Sequence, residues 1–174
     1  MERRTLLGHM VAAMLLPALS PARADGPQGA VTAPQGGIKV SHERWRELLP
    51  KDRYQVLFEE ATEPARSSPL DKEYRDGTYI CAACYQPLFD SADKFDSGTG
   101  WPSFTRPLED AMGTKRDFRL IWPRTEYHCS RCGGHQGHVF NDGPAPTGQR
   151  WCNNGLALEF IPRGESLPAP RDPS

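Results

Sequence analysis

Five cysteines set out the chemistry available to this sequence. Four of them form two pairs, Cys81-Ala82-Ala83-Cys84 and Cys129-Ser130-Arg131-Cys132, with 44 residues between the pairs. Two residues between thiols allow a tight turn to aim both sulfurs at one ion, and two such knuckles complete the tetrahedral four-sulfur shell of a structural zinc site. A closed shell has no open coordination position, so the predicted zinc, one per chain, holds the fold together and does not activate water. Its binding free energy, on the order of 10 kcal/mol in small zinc modules, ties together two distant stretches of chain. Two other readings compete. A pair of disulfides suits an exported protein, but each would close a very small loop. A ligand set of Cys129, Cys132, His135 and His138 is compact, but it leaves Cys81 and Cys84 without purpose.

The fifth cysteine, in Arg150-Trp151-Cys152-Asn153-Asn154-Gly155, has no intramolecular partner to spare. Spacing by itself favours a buried structural thiol. Thiolate chemistry needs positive charge and proton donors near the sulfur, because a free thiol with a pKa near ~8.5 is only slightly ionised at neutral pH. Arg150 and the pair His135 and His138 are the candidates. Three of five histidines, His128, His135 and His138, lie close together, two of them within Gly133-Gly134-His135-Gln136-Gly137-His138-Val139-Phe140. Each alone reads more simply as a satisfied surface or core residue. Trp101, between Gly100 and Pro102, is displayed by a rigid turn and offers a flat apolar face to a methyl group or a cation. The plainer alternative has Trp101 and Phe104 plugging one end of the core.

The elements that position these residues follow from pattern. Ser41 caps a short helix whose apolar side includes Trp45, Leu48 and Leu49, and Pro50 interrupts it before a second helical stretch around Tyr54, Val56, Leu57 and Phe58. From Gly77 onward short segments such as Thr78-Tyr79-Ile80, Phe118-Arg119-Leu120-Ile121 and Leu156-Ala157-Leu158-Glu159-Phe160 are separated by Gly, Pro, Asp and Asn, which predicts antiparallel strands. In the last segment Leu156, Leu158 and Phe160 alternate onto one face.

The chain has 174 residues, enough for one domain with a real core. Its net charge is -1 and its Lys and Arg form no long cluster, so nothing points to nucleic acid. Residues 1–24 read as an export signal: Glu2-Arg3-Arg4, an apolar run over residues 6–19, then Ala22-Arg23-Ala24 as a cleavage site. The run is too short to span a bilayer stably. Arg3-Arg4 also looks like a twin-arginine signal, a route for proteins that fold and load metal before export. Cleavage near Ala24 removes three arginines and one glutamate, taking the charge from -1 to -3, and places the mature protein in the periplasm without stable membrane insertion. Residues 25–39 form a flexible linker, 40–162 the folded domain, and 163–174 a loose Pro-rich tail.

Taken together, Gly77-Thr78-Tyr79-Ile80-Cys81-Ala82-Ala83-Cys84, Lys94-Phe95-Asp96-Ser97-Gly98-Thr99-Gly100-Trp101-Pro102-Ser103-Phe104, Gly134-His135-Gln136-Gly137-His138-Val139-Phe140 and Arg150-Trp151-Cys152-Asn153-Asn154 closely resemble the B family of methionine sulfoxide reductases. The match extends over the whole domain, including Thr62-Glu63-Pro64. The resemblance implies a mainly β domain of two antiparallel sheets, tent-like or barrel-like, with short N-terminal helices and a structural zinc site. It implies reduction of the R epimer of methionine sulfoxide in oxidised proteins and peptides. Cys152 becomes the nucleophile and passes through a sulfenic acid, while His138, with His135 beside it, protonates the oxygen. Trp101 becomes the wall against the substrate methyl group. Asp142, Arg150 and Asn154 become the polar surround that orients the histidines and the sulfoxide. Gln136 stands where leucine is more usual, and Thr99 where many members carry a second, resolving cysteine. With no such cysteine, a thioredoxin-like protein or small thiol has to regenerate Cys152.

Two other classes fit the residues alone. A non-catalytic zinc module predicts an unreactive Cys152, and a thiol hydrolase using Cys152 and His138 predicts an acyl-enzyme and no need for a reductant.

Overall fold

The computed structural model describes residues 37–118 and 123–173. The expected export signal and most of the expected linker lie outside the described residues. Ser41 caps helix α1 (His42–Leu48), its side chain accepting from the Arg44 amide, as its position predicts. Pro50 then opens α2 (Lys51–Glu59), which ends with Glu60 in the left-handed conformation. Trp45, Tyr54, Val56 and Leu57 are buried, so the two helices carry one apolar face into the core. Among the described residues no helix is long and apolar enough to cross a membrane.

Nine strands follow among the described residues. They are β1 (Gly77–Cys81), β2 (Pro87–Asp90), β3 (Lys94–Phe95), β4 (Ser103–Phe104), β5 (Met112–Asp117), β6 (Arg124–Cys129), β7 (His135–Phe140), β8 (Arg150–Asn153) and β9 (Leu158–Pro162). All the pairings are antiparallel: one sheet runs β2-β1-β9 and the other β3-β4-β8-β7-β6-β5. Both sheets have two edges, so neither closes on itself and the barrel-like variant of the expected fold is not realised. Phe89 and Phe104, one from each sheet, stack with ring centroids 4.0 Å apart, and Tyr79 meets Phe104 edge-on. That aromatic contact joins the sheets across the core.

Of the strand expected over Phe118-Arg119-Leu120-Ile121, Phe118 is exposed just after β5 and the other three residues lie outside the described residues. Within β5, Gly113 sits across from His128 with no room for a side chain between. One expected strand differs in its start. The last strand starts at Leu158 and not at Leu156, because Gly155–Ala157 form a 3-10 turn that follows β8. Among the described residues the tail beyond Pro162 has neither helix nor strand, and Arg171 meets the first cysteine knuckle through a 2.9 Å bond from its amide to the Cys84 carbonyl.

Candidate active site

Cys81 ends β1, Cys84 closes the turn after it, and Cys129 and Cys132 flank the turn that ends β6. All four sulfurs lie within 4.8 Å of one another. The separations from Cys81 to Cys132, 3.7 Å, and from Cys84 to Cys129, 3.6 Å, are close to the ~3.8 Å edge of a tetrahedron with metal–sulfur bonds of about 2.3 Å. The four residues can therefore hold one metal ion, and the geometry suits zinc. Neither histidine joins them, and the cysteines of each pair are free of disulfide.

Cys152 lies in the middle of the large sheet. Its Cα pairs with that of His138 on β7 and with Ser103 on β4, so the thiol and the imidazole rise from adjacent strands on one face. Gly137 makes the close packing of β7 and β8 possible, because a side chain there would run into the Cys152 carbonyl. The thiol opens into a cavity of about 130 Å³ lined by Thr62, Trp101, Arg124, Gly137, His138, Phe140, Asn153 and Asn154. Burial pushes the Cys152 thiol above its usual range, and the neighbouring Arg150 guanidinium and Thr99 hydroxyl pull the other way.

Arg150 is buried and rigidly held. It forks onto Asp142 with bonds of 2.8 and 2.9 Å and lies over the Phe140 ring at 4.3 Å. Asp142 therefore orients the arginine and does not contact either histidine. Trp101 is half-buried, its indole N–H donating to the Glu63 carbonyl at 3.2 Å, and it walls the cavity while Phe104 alone plugs the core. Asn154 is buried. It accepts from the Glu63 amide and donates to the Gln136 carbonyl, pinning the segment that carries Thr62 against β7.

The histidines are three apart on a strand, which would place them on opposite faces if β7 were regular. It is not regular. Between Tyr127 and His128 the register slips by one, so that Gln136 is an extra residue and His135 and His138 share a face with ring centroids 5.5 Å apart. Each then meets a carboxylate that the sequence reading did not single out. His138 Nε2 lies 2.8 Å from Asp117, itself held by Arg124 at 2.6 Å, and His135 Nδ1 lies 2.7 Å from Glu126. Burial lowers the His138 pKa and the Asp117 bond opposes the drop. Burial works to raise the Glu126 pKa, but His135 and Lys115 together bring it below the usual carboxylate range. These four residues, with Arg124, line a second recess joined to the cavity through His138 and Arg124. The spacing of Arg124 and Glu126, two apart on β6, was the available signal: on a strand they share one face.

Cys152, His138, Trp101 and Asn154 thus converge on one cavity, with Arg150 beside the sulfur and His135 one step behind. A larger recess of about 790 Å³ near α2 and β9 holds neither Cys152 nor a histidine, and its arginines are already paired with carboxylates.

A SelR domain model matches residues 49–162, a span that contains all of these residues. The chain belongs to the SelR family, the methionine sulfoxide reductases B. It is 47% identical over 124 residues to the peptide methionine sulfoxide reductase MsrB of Leptospira interrogans, covering 71% of this chain and 95% of that one. It is 50% identical over 127 residues to the MsrB of Pseudomonas putida strain W619, covering 72% and 96%. The similarity extends to a plant protein, the chloroplastic peptide methionine sulfoxide reductase B1 of Oryza sativa subsp. japonica, at 43% over 128 residues, with 73% of this chain and 60% of that one covered. As a SelR domain the chain is an oxidoreductase.

Proposed function

We propose that this protein reduces the R epimer of methionine sulfoxide in oxidised proteins and peptides, with Cys152 as nucleophile and His138 as acid. The observation that carries the proposal is the direct pairing of Cys152 with His138 across β7 and β8, in a small cavity walled by Trp101 and Phe140. The Cys152 thiolate attacks the sulfoxide sulfur while the protonated His138 gives its proton to the oxygen. The oxygen passes to Cys152, which becomes a sulfenic acid, and methionine leaves with its lone pair restored. An external thiol then attacks the sulfenic sulfur, forming a mixed disulfide and releasing water. A second thiol attacks that disulfide, restoring Cys152 and taking away the oxidised donor. A thioredoxin-like protein or a small thiol fills the donor role.

Asp117 accepts from one nitrogen of His138, which leaves the other to carry the proton, and a carboxylate there favours the imidazolium that the acid step needs. Arg150 and Thr99 favour the thiolate. In the metal site, Cys81, Cys84, Cys129 and Cys132 hold one structural zinc, which fastens β1 to the end of β6 and takes no part in the chemistry. The signal over residues 1–24 exports the protein to the periplasm, by the twin-arginine route if the metal is loaded first.

The test is chiral chromatography of a racemic methionine sulfoxide peptide treated with enzyme and dithiothreitol. The R epimer should disappear and the S epimer persist, because a cavity lined by Trp101 for the methyl and His138 for the oxygen would fix both substituents. Consumption of both epimers at similar rates would sink this reading, and turnover of an ester without reductant would point to a thiol hydrolase.

A further inference from the structure

Gln136 is fully buried, and it is the extra residue that bulges β7 between the two histidines. A buried amide is costly unless both its ends are bonded, whereas a leucine in the same place would need no partner. Both ends are bonded. The Nε2 lies 3.6 Å from the sulfur of Cys81 and 3.5 Å from the Gly134 carbonyl, and the Oε1 lies 3.3 Å from Asn153 Nδ2. The orientation of the amide follows from its neighbours. The Asn154 carbonyl can only accept, so the Asn153 atom 2.8 Å from it is the amide nitrogen, and that nitrogen requires an oxygen from Gln136. The N–H end of Gln136 must then face Cys81. On the far side Asn153 accepts from the Tyr127 hydroxyl at 2.7 Å, and the Gln136 carbonyl receives two bonds from Asn154.

We propose that Gln136 is a positioning residue that links the four-cysteine cluster to the catalytic strand, its amide donating to the Cys81 thiolate while its oxygen holds Asn153, the neighbour of Cys152. Four thiolates around one divalent ion leave a net negative charge in the interior, which hydrogen-bond donors must balance. Gln136 supplies such a donor from the strand that also carries His135 and His138. Through the same side chain the bulge that puts both histidines on one face is tied to the metal ligand and to β8.

The inference rests on a metal-loaded cluster and a sulfoxide reductase at Cys152, both of which the wild-type protein tests by itself through metal content and turnover. Gln136→Leu, of similar size and without polar atoms, removes the link. With cobalt in place of zinc, the thiolate-to-metal charge-transfer band should move to longer wavelength in the variant, because a sulfur without its donor gives up electron density more easily. Zinc release to a chelator should become about tenfold faster. With methionine sulfoxide peptide, kcat should fall several-fold while KM stays within about twofold of wild type, since the cavity wall is untouched and the histidine bulge is not. A wild-type band and release rate would overturn the bond to Cys81, and a wild-type kcat beside a shifted band would overturn the link to the nucleophile. If Gln136→Leu does not fold, Gln136→Met gives the same readouts with an unbranched chain.

Discussion

Cys152 and His138 are register partners across β7 and β8, while the nitrogen of His138 remote from the chain, Nε2, is engaged by Asp117 at 2.8 Å. Burial drives both toward their neutral forms, raising the thiol and lowering the imidazole. The proposed nucleophile and acid are therefore tuned by groups that oppose burial: Arg150 and Thr99 for the sulfur, Asp117 for the ring.

Asp117→Asn keeps a hydrogen-bond partner for His138 but removes the negative charge. The His138 pKa, already below its ordinary value, should fall further, so the imidazolium is lost at lower pH and the alkaline limb of kcat moves down. The rate near neutrality should drop by about tenfold to a hundredfold, within the range that acid catalysis contributes. A pH–rate profile of both proteins checks it, and an unmoved alkaline limb would show that His138 is not the acid.

The thiol should respond in the opposite sense. Thr99→Val removes a hydroxyl that lowers the Cys152 pKa, and the pKa, already raised by burial, should rise further. Alkylation of Cys152 by iodoacetamide, followed from pH 6 to 10 (roughly the thiol range), should then need a higher pH to reach half its maximal rate. An identical profile would mean that the hydroxyl does not stabilise the thiolate.

Zinc analysis of purified protein should give one ion per chain. Cys84→Ser and Cys132→Ser should lose it and melt at lower temperature, whereas Cys152→Ser should keep both the metal and the melting temperature, since Cys152 lies in a different sheet from Cys81 and outside the cluster. Equal zinc loss in all three would undo the assignment.

After one equivalent of substrate without reductant, mass spectrometry should find one added oxygen on Cys152, trapped by a sulfenate-specific probe. Thr99→Cys should instead form a disulfide with Cys152, because the Thr99 hydroxyl is near enough to that sulfur to lower its pKa. Zinc release with a bond from Cys152 to a knuckle cysteine would refute the scheme.

Gly137→Ala should be poorly tolerated, as the added methyl would collide with the Cys152 carbonyl. Overpacking of this kind costs about 1–3 kcal/mol, so the melting temperature and the activity should fall together. Normal activity in this variant would mean that β7 and β8 separate more easily than their pairing implies.

Features whose cause is local were legible in the sequence. A CxxC pair aims its two sulfurs through a single turn, Ser41 caps α1 through a bond to an amide three residues on, and Cys152 stood out because the other four cysteines were spoken for. The strand expected at Thr78-Tyr79-Ile80 likewise followed from composition and lies within β1. What depends on pairing between distant strands was not legible. No spacing rule places His135 and His138 on one face, since three residues along a regular strand separate them; a slip of register against β6 does that. Asp117 and Glu126 became the partners of the histidines only when β5 and β6 came alongside, and Asp142 was left to hold Arg150. The role of Gln136 likewise appeared only when the bulge turned its side chain toward Cys81 and Asn153. A local sequence determines turns, caps and ligand pairs because their atoms lie within a few bonds of one another, whereas register is decided by how whole strands pack, and a shift of one residue changes which side chains can meet.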